Sequence, residues 1–458
     1  MIKQKEHLYV EIYNYLKEMI VNKKYKEHDK LPSKRTLAQL LQVSPLTVDR
    51  SYQQLIMEGY VYSVEKSGYY VSKQIDLMIA SHDKAIPFDS NPIVEDSYKY
   101  SFKTNIVDTS LFPSSTWAKL ARQVLSEKSD ALLNELPAKG MKDLRYELAR
   151  LLEVYRGMTV DVEQIIIGSG TNSLISIIIE LLGRNQVYGV ENPSYRKMSQ
   201  IYTSNDVHLI PVSLDSHGMN PLELIHSNVS VIHVTPSHQF PTGIVMPIQR
   251  RIELLNWASE HHRFIIEDDY ESEFNFVGKP IPSLQSIDQN DCVIYMNTFT
   301  KTLAPSFRMS YMVLPKKLLT SYKEISAYQS CTVPNLEQYI MYKFMNGRYF
   351  ERHLFRMKKL YKQKNNIIDE IFSTRKDIEV SGLGVGLHCL LVIKGHRNEK
   401  KLIQRLMANG VFIKGIHEYY STNTQTFDST LILGYSGISL SELKNSLHAL
   451  IQLIDLEK

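Results

Sequence analysis

The 458-residue sequence predicts a multidomain chain: a small N-terminal module of helices and a hairpin, then a large α/β domain ending in a smaller α+β subdomain. Three observations predict it. Up to Lys73, apolar residues recur at helical spacing and then give way to two short β-prone runs. From Tyr100 onward, apolar runs of buried-strand length alternate with helical stretches over about 230 residues, the pattern of a mostly parallel sheet. After about residue 360 that alternation breaks, and helical patches separate the strand-like segments Gly382 to Val392 and Val411 to Ile413. A chain this long also exceeds one ordinary core.

Composition narrows the class. With 43% hydrophobic and 22% charged residues, the chain is globular and not disordered or fibrous. No apolar run approaches the roughly 20 residues of a membrane span; Leu174 to Leu182 is the best candidate, and it is short and carries Glu180. The start, M-I-K-Q-K-E-H, lacks an apolar signal segment, so a cytoplasmic location is expected. Cys292, Cys331 and Cys389 are scattered, which fits reduced thiols and no metal. Residues 1–73 hold 12 Lys and Arg against 8 Asp and Glu, which accounts for the whole formal net charge of +4. The positive excess therefore belongs to the N-terminal module, and it points to a polyanionic partner.

In that module, Leu8, Ile12, Leu16, Met19 and Ile20 define a helix over about His7 to Val21. Ser33 caps a second helix through Leu37, Leu40 and Leu41. The turn Gln42-Val43-Ser44 leads to a third, capped by Ser44 with Pro45 at its first position, burying Val48, Tyr52, Leu55 and Ile56 and stopping near Gly59. Tyr60 to Val64 and Tyr69 to Val71 flank Glu65-Lys66-Ser67-Gly68 as a hairpin. This is the order of a winged helix-turn-helix. The wording L-P-S-K-R-T-L-A-Q-L-L-Q-V-S-P-L-T-V-D-R-S-Y-Q-Q-L-I-M-E-G-Y resembles GntR-family DNA-binding domains. The resemblance implies double-stranded operator DNA as partner, with Ser33, Lys34 and Arg35 on phosphates. It turns Ser44, Thr47, Arg50, Lys66 and Gly68 towards the operator. Where family members often carry Arg-Asn after the capping serine, Pro45-Leu46 stand here. Pro45 donates no hydrogen bond, so base readout at that point is apolar or absent. Residues 74–99, with Pro87 and Asn91-Pro92 and no period, read as a semi-flexible linker.

Within residues 100–458, Ile165-Ile166-Ile167 runs into Gly168-Ser169-Gly170-Thr171-Asn172 and a helix through Leu181. Val231 to Thr235, Phe264 to Asp268, Val293 to Thr298 and Met309 to Leu314 are further buried-strand candidates. Two segments carry chemistry: Glu267-Asp268-Asp269-Tyr270 and T-F-T-K-T-L-A-P-S-F-R-M-S-Y from Thr298 to Tyr311. A lysine among hydroxyls, an arginine beyond it and an acid at a strand end suit pyridoxal 5'-phosphate (PLP), which needs an amine, a carboxylate and a cationic cup. Lys301 is the Schiff-base lysine in this reading. Asp268 holds the pyridine nitrogen, and Tyr270 donates to the ring hydroxyl. Arg308, Thr298 and Thr300 take the phosphate together with Gly170, Thr171 and Asn172 at a helix N-terminus. Asp269 faces away and serves structure.

These segments resemble fold-type I aminotransferases. By that resemblance Tyr195, in E-N-P-S-Y, stacks on the cofactor ring, and T-P-S-H-Q-F-P-T-G, with His238, forms a loop beneath it; Phe240 stands where most relatives have asparagine. The T-P-S-H-Q-F-P-T-G wording, Leu111-Phe112-Pro113 and the N-terminal module together resemble the MocR/GabR subfamily of transcription regulators. That resemblance implies a head-to-tail, domain-swapped homodimer. Two departures bear on activity. The family's L-R-L-G-F motif, whose arginine grips a substrate carboxylate, reads Leu431-Ile432-Leu433-Gly434-Tyr435. The segment that sends a tyrosine to the neighbour's phosphate reads Asn134-Glu135-Leu136-Pro137-Ala138-Lys139-Gly140 and has none. Arg196 is the remaining candidate for a carboxylate, and an ordinary solvated arginine is its competing reading. Efficient transamination is therefore not expected. A regulator sensing PLP, or its adduct with an amine or amino acid, is the first reading. An amino-acid-responsive or drug-efflux regulator, a DNA-binding aminotransferase and a non-DNA assembly module are the alternatives.

Overall fold

The computed structural model describes residues 8–73, 98–260, 262–278, 281–421 and 428–456. The chain falls into two compact units, Met1–Glu95 and Asp96–Lys458. The linker expected over 74–99 lies outside the described residues except for Tyr98 and Lys99.

In the first unit, α1 (Leu8–Val21) turns Ile12, Leu16 and Ile20 inward at four-residue spacing. Helix α2 (Lys34–Leu41) starts where Ser33 Oγ accepts from the Thr36 amide at 3.1 Å, and ends at Gln42 in the left-handed region, φ 52°. That reversal sets the short turn before α3 (Pro45–Met57), whose cap Ser44 accepts from the Thr47 amide at 3.1 Å. Val48, Tyr52 and Leu55 of α3 are fully buried against α1 and the hairpin β1 (Val61–Val64) and β2 (Gly68–Val71). Tyr52 donates to the Pro32 carbonyl at 2.7 Å and stacks on Tyr69 at 4.4 Å, which ties wing to helices. The winged helix-turn-helix expected from the sequence is the observed arrangement.

The second unit begins with β3 (Tyr100–Ser101) and is built on an eight-stranded sheet. Its strands are β4 (Ile165–Gly168), β5 (Val187–Asn192), β6 (His208–Asp215), β7 (Gly218–Met219), β8 (Val231–Val234), β9 (Phe264–Asp268), β10 (Val293–Thr298) and β11 (Ser310–Val313). Their order is β4-β11-β10-β9-β8-β5-β6-β7. Strands β10, β9, β8, β5 and β6 are mutually parallel, whereas β11 runs antiparallel between β4 and β10, and β7 antiparallel to β6. Ile165 and Ile167 pack into one core cluster and Ile166 into another. Both sheet faces are therefore covered, and β4 reads as an unbroken apolar run.

The smaller subdomain holds an antiparallel sheet in the order β12-β13-β16-β15, made of β12 (Ile378–Ser381), β13 (His388–Ile393), β15 (Lys414–Gly415) and β16 (Ser429–Gly434). Between them, β14 (Val411–Phe412) pairs in parallel with β3. Phe102 joins the same core cluster, so residues near 100 belong with this subdomain and it is not made from the 360–458 segment alone. The helix Tyr349–Phe372 spans both bodies, giving Phe350, Leu354 and Tyr361 to the large core and Ile368 and Phe372 to the small one.

Candidate functional site

Parallel strands leave their carboxyl ends on one edge of the sheet, where loops open a crevice. Here that edge carries Gly168, Asn192, Val234, Asp268 and Thr298, and beside it lies a cavity of about 680 Å³. Lys301, Asp268, Tyr270, Arg308, Tyr195, Gly170, Thr171, Asn172, Thr298 and Thr300 all line it. The sequence places these residues up to 138 positions apart, from Gly170 to Arg308.

Lys301 is 5% exposed and donates to the backbone carbonyl of Thr104. Burial pushes its amine pKa down, against an opposing pull from Glu271. A lowered pKa favours the neutral amine, the form that attacks an aldehyde. Asp268 closes β9, and its carboxylate lies 3.5 Å from His233 Nε2; the other ring nitrogen of His233 meets Tyr202 Oη at 2.9 Å. Asp269 points away from the cavity and is fully buried. It is held by Arg156 at 2.8 Å, Tyr295 Oη at 2.6 Å and Ser272 Oγ at 2.8 Å. Arg156 is fixed in turn by Ile281 O and Ser237 Oγ, so the turn between Asp268 and Tyr270 is anchored from behind. The structural role expected of Asp269 is the observed one.

At the other end, Gly170 caps the helix Thr171–Leu182 with φ +95°, a region open to glycine. A Cβ there would lie 2.9 Å from Arg308 Nη2, so the missing side chain is what admits the guanidinium to the helix N-terminus. Thr298 and Thr300 hydroxyls bond each other at 2.7 Å. An amine, a strand-end carboxylate and a forked cation at a helix N-terminus form a donor set that fits PLP.

Two of the expected residues, His238 and Arg196, lie outside the lining. His238 does not line the cavity: it is 1% exposed, its Nδ1 meets Glu271 Oε1 at 2.5 Å, and its carbonyl accepts from Tyr270 Oη at 2.8 Å. It lies behind Tyr270, because its loop turns the ring towards Glu271 and His388. Tyr270 Oη is accordingly committed to that carbonyl in this structure. Arg196 is exposed and outside the lining, whereas Lys197 borders the cavity. Tyr195 is set edge-on to Phe240 at 5.6 Å and accepts from Asn105 Nδ2 at 2.7 Å. Ile432 is 1% exposed and clusters with Phe240, Leu390, Ile416 and Tyr419, against Tyr195 and Tyr270.

The sequence reading missed Asn105, Thr104, Glu191 and His233. His233 had a signal, a polar residue inside an apolar strand. Glu191 too is nearly buried, takes a 2.6 Å hydrogen bond from Thr235 Oγ1, and is pushed up in pKa by desolvation.

The residues expected at DNA share the first unit. Arg35, Arg50 and Lys66 are exposed, and Lys66 and Gly68 have φ +58° and +131° at the tip of the wing. Lys34 pairs with Asp49 on α3 and lies 5.4 Å from the Tyr69 ring centre, so it braces α2 against α3. Ser33 and Ser44 spend their hydroxyls as caps, Ser44 also bonding Thr47 Oγ1 at 2.7 Å.

Comparison with known proteins agrees with both halves. Residues 8–71 match the bacterial regulatory proteins of the gntR family, and residues 99–449 match aminotransferase class I and II. The uncharacterized HTH-type transcriptional regulator YdeL of Bacillus subtilis (strain 168) is 35% identical over 453 residues, covering 97% of this chain and 96% of YdeL. The chain belongs to the MocR/GabR-type transcription regulators. Its cofactor is therefore PLP, which the donor set above accommodates. The HTH-type pyridoxine biosynthesis transcriptional regulator PdxR of Corynebacterium glutamicum is 25% identical over 413 residues, 89% of this chain and 87% of PdxR. Among solved structures, the kynurenine aminotransferase of Pyrococcus horikoshii superposes with a TM-score of 0.69 at 22% identity, over 79% of this chain and 91% of that one. That likeness concerns fold. No helix among the described residues is long and apolar enough to cross a membrane.

Proposed function

We propose that this regulator is cytoplasmic, binds operator DNA as a head-to-tail homodimer, and senses PLP itself, so that its targets serve vitamin B6 supply. One observation carries the reading. Groups suited to an aldehyde, a pyridine nitrogen and a phosphate line one cavity, while Ile432, where an arginine would grip a carboxylate, is sealed in an apolar cluster. The relationship to PdxR supports the same direction. In this reading Lys301 offers its buried amine, Asp268 and the His233–Tyr202 pair hold charge at the ring nitrogen, and Arg308 with Thr298, Thr300 and the Gly170–Asn172 turn hold the phosphate. Tyr195 covers the ring, and Tyr270 borders it while anchored to the His238 loop. PLP supplies an aldehyde for the lysine and an electron-withdrawing ring. An amino acid gains little further, since Lys197 at the rim is a poor substitute for a forked cation.

A ligand shifts a conformational equilibrium only as far as it binds one state better. Operator affinity of the apo-protein should therefore change when PLP is titrated in. Adding GABA or α-amino acids to the PLP form should change it little. A large response to one amino acid with none to PLP would return the chain to the amino-acid-responsive reading.

A further inference from the structure

The recognition helix α3 carries an apolar side chain where polar ones are expected. In a helix-turn-helix the N-terminal residues of the second helix face base edges in the major groove. In this chain the polar side chains of the first turn of α3 bond to one another or to α2. Ser44 and Thr47 bond each other at 2.7 Å, Ser44 caps the Thr47 amide, Pro45 has no N–H, and Asp49 is paired with Lys34. Leu46 beside them is 63% exposed. It shares the outward face of α3 with Arg50 and Gln53, at four- and seven-residue spacing. The opposite face buries Val48, Tyr52 and Leu55, so Leu46 contributes nothing to the core.

Scattered exposed leucines are ordinary on protein surfaces, but this one sits on the helix face that carries Arg50. The major groove presents one apolar group, the thymine C5-methyl. We propose that Leu46 reads a thymine C5-methyl group in each half-site, which makes this position specificity-determining. The proposal rests on the DNA-binding reading above. Removing one methyl from water against a leucine is worth roughly three- to fourfold in affinity.

The test uses the full chain. Duplexes are selected from a random pool, and each thymine in the selected site is replaced in turn by deoxyuridine, which lacks only the methyl. Affinity is read by fluorescence anisotropy for the native protein, for Leu46→Ala and for Leu40→Ala, which removes a 76% exposed leucine from α2 as a control. One deoxyuridine position per half-site should weaken native and Leu40→Ala binding three- to fourfold and leave Leu46→Ala unchanged. Both leucines are exposed, so circular dichroism should be the same for all three proteins. If every deoxyuridine substitution weakens the three proteins alike, the assignment of Leu46 is overturned while DNA binding stands. If selection enriches no sequence, the DNA-binding reading fails with it.

Discussion

Replacing Gly170 by Ala separates the phosphate cup from ordinary backbone strain, because a matched control caps the other end of the same helix. Gly170 and Gly183 flank Thr171–Leu182 with φ +95° and +102°, and both have extended ψ, 166° and 142°. A side chain in that region costs about 1–3 kcal/mol at either position. Their surroundings differ. A Cβ at Gly170 meets Arg308 Nη2 at 2.9 Å and Cζ at 3.1 Å, whereas at Gly183 the nearest atom is Gln186 Cγ at 4.0 Å. Arg308 ends in a flexible side chain, so it yields, and in yielding leaves the helix N-terminus. A hydrogen bond to a charged group is worth about 1.5–3 kcal/mol, so PLP affinity should fall roughly 10- to 100-fold in Gly170→Ala. Gly183→Ala should lose similar stability in urea and bind PLP as the native protein does. Absorbance titration of the apo-proteins with PLP reads the affinity, and urea unfolding reads the strain. Equal PLP affinity in both variants would refute the placement of the phosphate against Arg308.

Lys301→Ala should abolish the visible absorbance of bound PLP, and borohydride reduction followed by peptide mapping should leave no pyridoxyl label; a label on another lysine in the native protein overturns the assignment. Arg50→Ala should weaken operator binding and make the salt slope shallower by about one unit without altering PLP uptake; unchanged binding at moderate salt would move the recognition surface elsewhere. Glu273 is held at a pKa of about 7, raised from 4.5, mainly by burial and then by Asp269. The folded state thus keeps a proton that the unfolded chain has released, and the stability this provides is full below 4.5 and lost as pH rises through about 7. Glu273→Gln should flatten the fall in urea midpoint between pH 5 and 8, and an unaltered slope would contradict the assignment.

What the sequence determined by itself is what short-range physics controls. Ser33 and Ser44 with Pro45 set helix starts through bonds spanning three residues. Short apolar runs marked β4, β9 and β10, because strands covered on both faces need no polar alternation. Strands β5 and β6 escaped notice, since V-Y-G-V-E-N and H-L-I-P-V-S-L-D carry glycine, proline and charge that local pattern reading penalises. The order Asp268, Lys301, Arg308 pointed to the cofactor, because together they offer PLP a partner for its ring nitrogen, an amine for its aldehyde and a cation for its phosphate.

The tertiary structure decided everything that depends on the path of the chain. It brings Thr104 to Lys301 across 197 positions and Asn105 to Tyr195 across 90. It turns His238 away from the cavity, backs Asp268 with His233, and joins β3 to β14 at the far end of the sequence. It also pairs Lys34 with Asp49 and exposes Leu46. Such pairings arise from burial and sheet register between distant segments, and no local spacing encodes them.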